Sequence, residues 1–135
     1  MKKSSAVRKA RELAFFATLT AFGAKAVPTR ITFSDAQKLG LPTGTRTHQF
    51  YHKLSNLLLP GPFPPITSYT LTYHFKTARH WDDDNAIGAA KAYRDGIAHA
   101  LRIDDRTILL AALPLLLTDP TAPRLQIHLH SHPQP

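Results

Sequence analysis

Cysteine is absent from all 135 residues, which excludes disulfides, thiolate metal ligands, cysteine-based zinc fingers and a cysteine nucleophile, and permits a reducing cytoplasm. Long apolar runs are missing as well. No stretch reaches the about 18 uncharged apolar residues of a membrane span, and the basic start that could open a secretory signal is interrupted by Arg11 and Glu12. We therefore expect a soluble, cytoplasmic protein with no membrane partner. Acidic groups are scarce: nine Asp and Glu face seventeen Lys and Arg, a formal net charge of +8. The resulting pI near 10.1 points to a nucleic acid or another anionic surface as partner. The chain length suits one domain spanning residues 1–135 with a single core.

The few acids that are present are concentrated. Residues 1–81 hold twelve Lys and Arg against only Glu12 and Asp35, whereas residues 82–135 hold five against seven. Within the second part Asp82, Asp83 and Asp84 are consecutive, and Asp104 and Asp105 form a second group. Packed carboxylates repel one another, and such clusters are commonly held by a shared hard cation such as Mg²⁺, which takes oxygen ligands and leaves positions open for a phosphate. The bland alternative is a solvated acidic turn that caps the next helix. A basic body around a small acidic centre is the charge pattern that phosphodiester hydrolysis requires, because the body attracts the polyanion and the centre holds the metal.

Hydrophobic periodicity gives a mixed α+β order, with a mixed sheet packed against two main helices. Ser4 to about Phe22 reads as a helix with Ala6, Ala10, Leu13, Ala17 and Ala21 on its apolar side and Lys2, Arg8, Lys9 and Arg11 at its basic start, suited to phosphate contact. Residues 25–61 are punctuated by Pro28, Gly40, Pro42, Gly44, Pro60 and Gly61 and read as irregular, apart from a short helix from His48 to Leu59. Arg30, Arg46, His48, His52 and Lys53 could line a nucleic-acid groove there. From Ser68 the alternation of Tyr69, Leu71, Tyr73 and Phe75 with Thr70, Thr72, His74 and Lys76 predicts a half-buried strand aimed at the acidic run.

After Asn85 the spacing of Ala86, Ala90, Tyr93, Ile97 and Leu101 predicts one helix with an apolar stripe. Asp84, Gly88, Lys91 and Asp95 follow the same period, so Lys91 is expected about two turns beyond Asp84 on the same side, with Gly88 leaving room for a phosphate and Asp95 steadying the lysine. Asp104 and Asp105 then lead into an apolar run over Thr107 to Ala112 that reads as a buried strand, ended or bent by Pro114. The two acidic groups can converge only if this strand and the one before Asp82 are neighbours in the sheet. Leu125, Ile127 and Leu129 alternate with Gln126, His128 and His130 in a closing strand. An EF-hand loop is excluded, because Ile87 and Tyr93 occupy the positions of its glycine and final glutamate. The alternating His128, His130 and His132 are expected on an exposed strand face, and His48 and His52 on a DNA-facing or solvent face.

Asp82-x-Asp84-Asn85, the helix with Lys91 and the Tyr93-Arg94-Asp95-Gly96-Ile97 run, then Ile103-Asp104-Asp105 and a closing strand resemble the RusA-type Holliday junction resolvases of phages and prophages. The resemblance covers about residues 66–131. It implies a small α/β homodimer, bacterial or phage-encoded, that binds four-way or otherwise branched DNA and nicks it symmetrically in recombination and repair, using Mg²⁺, with Mn²⁺ as an alternative. Carried over by position, Asp82, Asp84 and Asp105 would hold the metal and Lys91 would be the essential lysine. Asp104, Asn85 and Asp95 would support them, and Lys76, Arg79, His80 and Arg94 would contact DNA. Trp81 stands where an arginine is common, the lysine lies about one turn further from the Asp-x-Asp than in well-known relatives, and the usual extended Pro-Pro-Ser-x-Asn opening, with the edge strand it implies, is not expected here. Two other classes compete. A catalytically inactive relative would bind branched DNA without cutting it, and a basic RNA-binding protein would use the acidic run only as a cap.

Overall fold

The computed structural model describes residues 2–25, 27–28, 32–41 and 48–131. The fold is mixed α+β, as expected. Its elements are helices α1 (Lys2–Ala21), α2 (Phe33–Lys38) and α3 (His48–Leu58), strand β1 (Ile66–Phe75), helices α4 (Asp83–Ala89) and α5 (Lys91–Leu101), a 3₁₀ turn (Asp105–Thr107), and strands β2 (Leu109–Leu110), β3 (Leu115–Thr118) and β4 (Arg124–Ser131). They gather into two compact units. One comprises the chain up to Phe63 together with Ala92–Asp105, the other Pro64–Lys91 together with the chain from Arg106. Among the described residues no helix is long and apolar enough to cross a membrane.

The helical unit is built on aromatic packing. Phe15, Phe16 and Leu19 of α1 meet Phe50, Tyr51 and Leu54 of α3, with Ala36, Leu41 and Ala100 completing the cluster. The buried side of α1 is therefore Glu12, Phe15, Phe16 and Leu19, at the helical spacing i, i+3, i+4, i+7, and not the expected alanine side, where Leu13 is 62% exposed. Two phenylalanines and a leucine remove far more apolar area from water than a row of alanines, and so decide which side turns inward. Inside, the Tyr51 hydroxyl donates to Glu12 Oε2 at 2.7 Å. Burial, reinforced by that bond to Glu12, pushes the Tyr51 phenol well above its ordinary value.

Gly96 sets how closely α1 and α5 approach. A Cβ built at Gly96 would lie 2.0 Å from the Arg11 carbonyl oxygen and 3.0 Å from the Phe15 nitrogen, so only glycine fits. The C-terminus of α5 is closed by a Schellman pair, Ile103 N–H to Ala98 O at 3.0 Å and Arg102 N–H to His99 O at 3.2 Å, which places Arg102 at φ 59°. The Arg102 guanidinium offsets that strain by donating to Ser55 Oγ at 2.7 Å, to Leu59 O at 3.2 Å and to Gly61 O, while lying over the Phe63 ring. The fully buried Ser55 in turn donates to Ala100 O.

In the sheet unit β1 is central. It pairs antiparallel with β4 along one edge and parallel with β2 and then β3 along the other. The strand that follows the second acidic group is thus a neighbour of β1, as convergence of the acids requires. Between the pairs Tyr69↔Leu110 and Thr72↔Leu115 the chain advances three residues on β1 but five on its partner, so the apolar run breaks at Pro114, which has no N–H for the ladder. The strand expected to be buried over Thr107 to Ala112 is only Leu109–Leu110 and lies open, with Leu109 66% exposed, because it pairs with β1 on the face opposite buried Tyr69; pairing resumes beyond Pro114 in β3. Tyr69, Leu71 and Tyr73 form the buried face of β1, beside Leu129, Ile127 and Leu125 of β4. A tight turn joins β3 to β4: Asp119 Oδ1 accepts from the Thr121 and Ala122 amides, and Arg124, bonded to the other oxygen at 2.8 Å, holds the Asp119 carboxyl below the usual carboxylate range.

Residues 25–61 contain a second helix that the punctuation hid. At the head of α2 the Thr32 hydroxyl accepts from the Asp35 N–H and the Asp35 carboxylate accepts from the Thr32 N–H, a capping box. The helix expected to run unbroken from Asn85 to Leu101 is two. At Ala90 the backbone bond tightens to Ile87 O at 3.2 Å, next to Gly88, the weakest helix former in the segment.

The two glycines of this region predict opposite outcomes. Gly96→Ala should cost about 3 kcal/mol or more, because its methyl meets backbone that cannot move aside. Gly88→Ala, with nothing within 4 Å of its added Cβ, should be neutral or stabilise by up to about 1 kcal/mol. Urea unfolding of the two variants checks both.

Candidate functional site

The first acidic group is fixed to the sheet by aromatic packing. Trp81 lies with its ring centroid 5.3 Å from those of both Tyr73 and Phe75, edge to face, and the Tyr73 hydroxyl donates to Ala86 O in α4 at 2.5 Å. Strand, loop and helix are thereby joined immediately before and after Asp82. Trp81, which occupies the place of an expected arginine, serves as this anchor. Arg79 lies over the Phe75 ring at 5.0 Å and the Trp81 ring at 5.6 Å, so a cation is held at the same point. Lys76 and His80 are exposed on the same loop.

Asp82 is the N-cap of α4, its Oδ1 accepting from the Asn85 N–H at 2.8 Å. The capping role weighed for the acidic run is therefore real. It leaves the carboxylates of Asp83 and Asp84 in the first turn, where the helix dipole favours negative charge, and all of Asp82 to Asn85 is exposed. The donors here are carboxylate oxygens. That chemistry suits Mg²⁺, which keeps most of its waters and takes one or two carboxylates together with substrate phosphate oxygens.

The remaining expected residues are distributed as follows. Lys91 is exposed and opens α5; because the helix breaks at Ala90, its expected alignment with Asp84 along one continuous helix does not hold. Asp82, Asp84, Asn85 and Lys91 belong to the sheet unit, and Arg94, Asp95, Asp104 and Asp105 to the helical unit. Gly88 is open, as expected, whereas the closely packed glycine is Gly96. Among the described residues no group of three or more His, Asp or Glu side chains is placed to hold a metal ion.

Within the helical unit Arg94 Nη2 and Asp105 Oδ2 lie 3.6 Å apart, both side chains partly exposed, a pair worth a few tenths of a kcal/mol. A cavity of about 240 Å³ is lined by Asp95, Ala98, His99, Ile103, Asp104 and Asp105. His99 was not anticipated, although it lies four residues after Asp95 and so on the same side of α5. Its ring stacks on Tyr51 at 5.0 Å and meets the His52 ring edge-on at 6.1 Å. His52, expected on a DNA-facing or solvent face, is half-buried in this contact. Arg11, expected at the phosphate-facing start of α1, instead covers the Tyr51 ring at 5.3 Å. Arg8, Lys9 and Lys53 are exposed. His128 and His130 lie on the open strand face as expected, with His130 Nε2 3.2 Å from Thr70 Oγ1. Arg30, Arg46 and His132, and the side chains of Lys2 and His48, lie outside the described residues.

No family model, no curated protein and no solved structure gives a match to this chain.

The cap and the charge of Asp82 can be separated. Asp82→Ala should destabilise by about 1 kcal/mol through the lost cap, while Asp82→Asn, an equally good capping residue, should unfold within a few tenths of a kcal/mol of the parent. Thermal melts of both variants test this, and equal losses in the two would contradict it.

Proposed function

We propose that the chain is a metal-dependent endodeoxyribonuclease that nicks four-way or other branched DNA, acting as a homodimer in the cytoplasm of a bacterium or phage-infected cell. The observation that carries this is the exposed Asp82/Asp84 pair at the head of α4, anchored through Trp81 beside the cationic loop of Lys76, Arg79 and His80 in a chain of net charge +8. Asp82 and Asp84 would hold Mg²⁺ or Mn²⁺. Such an ion supplies a water of lowered pKa and offsets charge on the attacked phosphate. Lys76, Arg79 and His80 bind the DNA backbone next to the acids, and Arg79, held over two rings, loses little freedom in doing so. Lys91 adds positive charge near the phosphate. Asn85 keeps Asp82 oriented by donating its backbone N–H.

A second reading, a DNA-binding relative that does not cut, is favoured by the structural uses of two of the acids: Asp82 caps α4 and Asp105 pairs with Arg94. One experiment separates the two. Labelled four-way junction and matched linear duplex are incubated with the protein, with and without Mg²⁺ or Mn²⁺, alongside Asp84→Asn. Asp84 is the right probe because it is exposed and Asp82 supplies the cap. The nuclease reading predicts paired, metal-dependent nicks in the junction that fall by about 100-fold or more in Asp84→Asn while junction affinity is retained. Tight, salt-sensitive junction binding with no cleavage by the parent protein would favour the second reading. Equal binding to junction and linear duplex would reject both.

A further inference from the structure

The strand segment that follows the second acidic group has no role in the site, yet it is the most apolar exposed surface of the sheet unit. From Thr107 to Thr118 there is no charged residue, in a chain of net charge +8. Leu109, Leu113, Leu115 and Leu117 are 66%, 69%, 57% and 46% exposed, and Ala111 and Ala112 beside them are exposed too. Register explains why. Leu109, Leu115 and Leu117 pair with Ser68, Thr72 and His74 of β1, the face opposite buried Tyr69, Leu71 and Tyr73. The three leucines therefore form a stripe on the open face of the sheet, along β2 and β3, and Leu113 projects from the bend between these strands. Among the described residues no further strand pairs with this edge.

We infer that this leucine stripe is the contact between two copies of the chain. An exposed edge strand without charge is the arrangement that monomeric proteins avoid, because it invites pairing with another chain. Nucleic acid does not fit, since Thr107 to Thr118 offers no cation to a phosphate. Two copies of a strongly basic protein repel each other except where they meet through an uncharged surface, and an uncharged apolar stripe is complementary to itself, as a two-fold contact demands. Arg124, opposite His74 on β4, is paired with Asp119 at 2.8 Å. The four leucines present on the order of 400 Å² per copy, about half of the roughly 800 Å² that each partner buries in a standard interface. That is the proportion expected of an apolar centre surrounded by a polar rim, here Thr72, His74, Gln126 and Thr118. Such a contact needs neither metal nor DNA, and serves equally a protein that cuts and one that only binds.

Sedimentation velocity of the full chain, without DNA or metal, tests it over roughly 1–100 µM. The parent protein should sediment as a dimer of 15.0 kDa chains. The double variant Leu115→Lys, Leu117→Lys should sediment as a monomer throughout that range, its dissociation constant raised about 100-fold or more, with an unchanged far-ultraviolet circular dichroism spectrum. As a probe that leaves the stripe largely intact, Leu113→Cys introduces the only thiol of the chain and should be linked to a second copy by a short bis-maleimide. A parent protein that stays monomeric, a folded double variant that still dimerises, or a dimeric Leu113→Cys variant that the reagent does not link would each overturn the inference.

Discussion

The packing of Trp81 against Tyr73 and Phe75 is the interaction on which the candidate site depends. Aspartates on a free loop would separate under their own repulsion. Here the loop from Lys76 to His80 is closed at its far end by an indole seated on two strand side chains, and the first turn of α4 is tied back to the same strand by the Tyr73 hydroxyl. Asp82 then has one orientation, set by the Asn85 amide, and Arg79 is brought against the same rings. A strand-borne anchor of this kind positions ligands more rigidly than a loop could. The helical unit depends on a different constraint, the backbone approach permitted by Gly96 and locked by Arg102.

The two constraints serve different ends. The helical unit commits its aromatic residues to a core and buries Glu12 with Tyr51, and its cavity beside α5 collects Asp95, His99, Asp104 and Asp105. The sheet unit keeps one face buried and leaves the other open, with leucines along one edge and His128, His130 and Arg124 along the opposite strand. Charge follows the same division of labour: Asp35 and Asp82 to Asp84 sit at helix N-termini, where the dipole or a capping bond offsets their charge, and the apolar edge carries none.

Strands β1 and β4 were legible because strict alternation has only one interpretation. The existence and limits of α1 followed from the 3.6-residue period, and so did a helix after Asn85, though not its start at Asp83. Other features depended on competition that periodicity does not weigh. The alanine side of α1 matched the period as well as the phenylalanine side did, and buried area decided between them. β3 escaped notice because three consecutive leucines show no alternation. The break at Ala90 was hidden by a stripe that stays in phase across it, although Gly88 is a local signal. The Thr32-x-x-Asp35 capping box was readable but lay among the prolines and glycines of residues 25–61. The aromatic anchor had its residues in view, but the meeting of Trp81 with Tyr73 and Phe75 depends on how the connection between them folds back. The acidic residues themselves were plain, and a capping use of the run was readable as the alternative to a metal site, but not that Asp82 is the residue that caps.

The central claim is that the anchored carboxylates at the head of α4 bind a divalent cation. Trp81 is the only tryptophan in the chain and directly precedes Asp82, so it reports on that place alone. Terbium, a luminescent oxygen-seeking ion, should show emission sensitised by tryptophan excitation when added to the protein. That emission should be displaced by Mg²⁺ or Mn²⁺ and lost in the Asp82→Asn, Asp84→Asn double variant, which keeps the cap. Absence of sensitised emission from the folded parent protein, or emission unchanged in the double variant, would contradict the account.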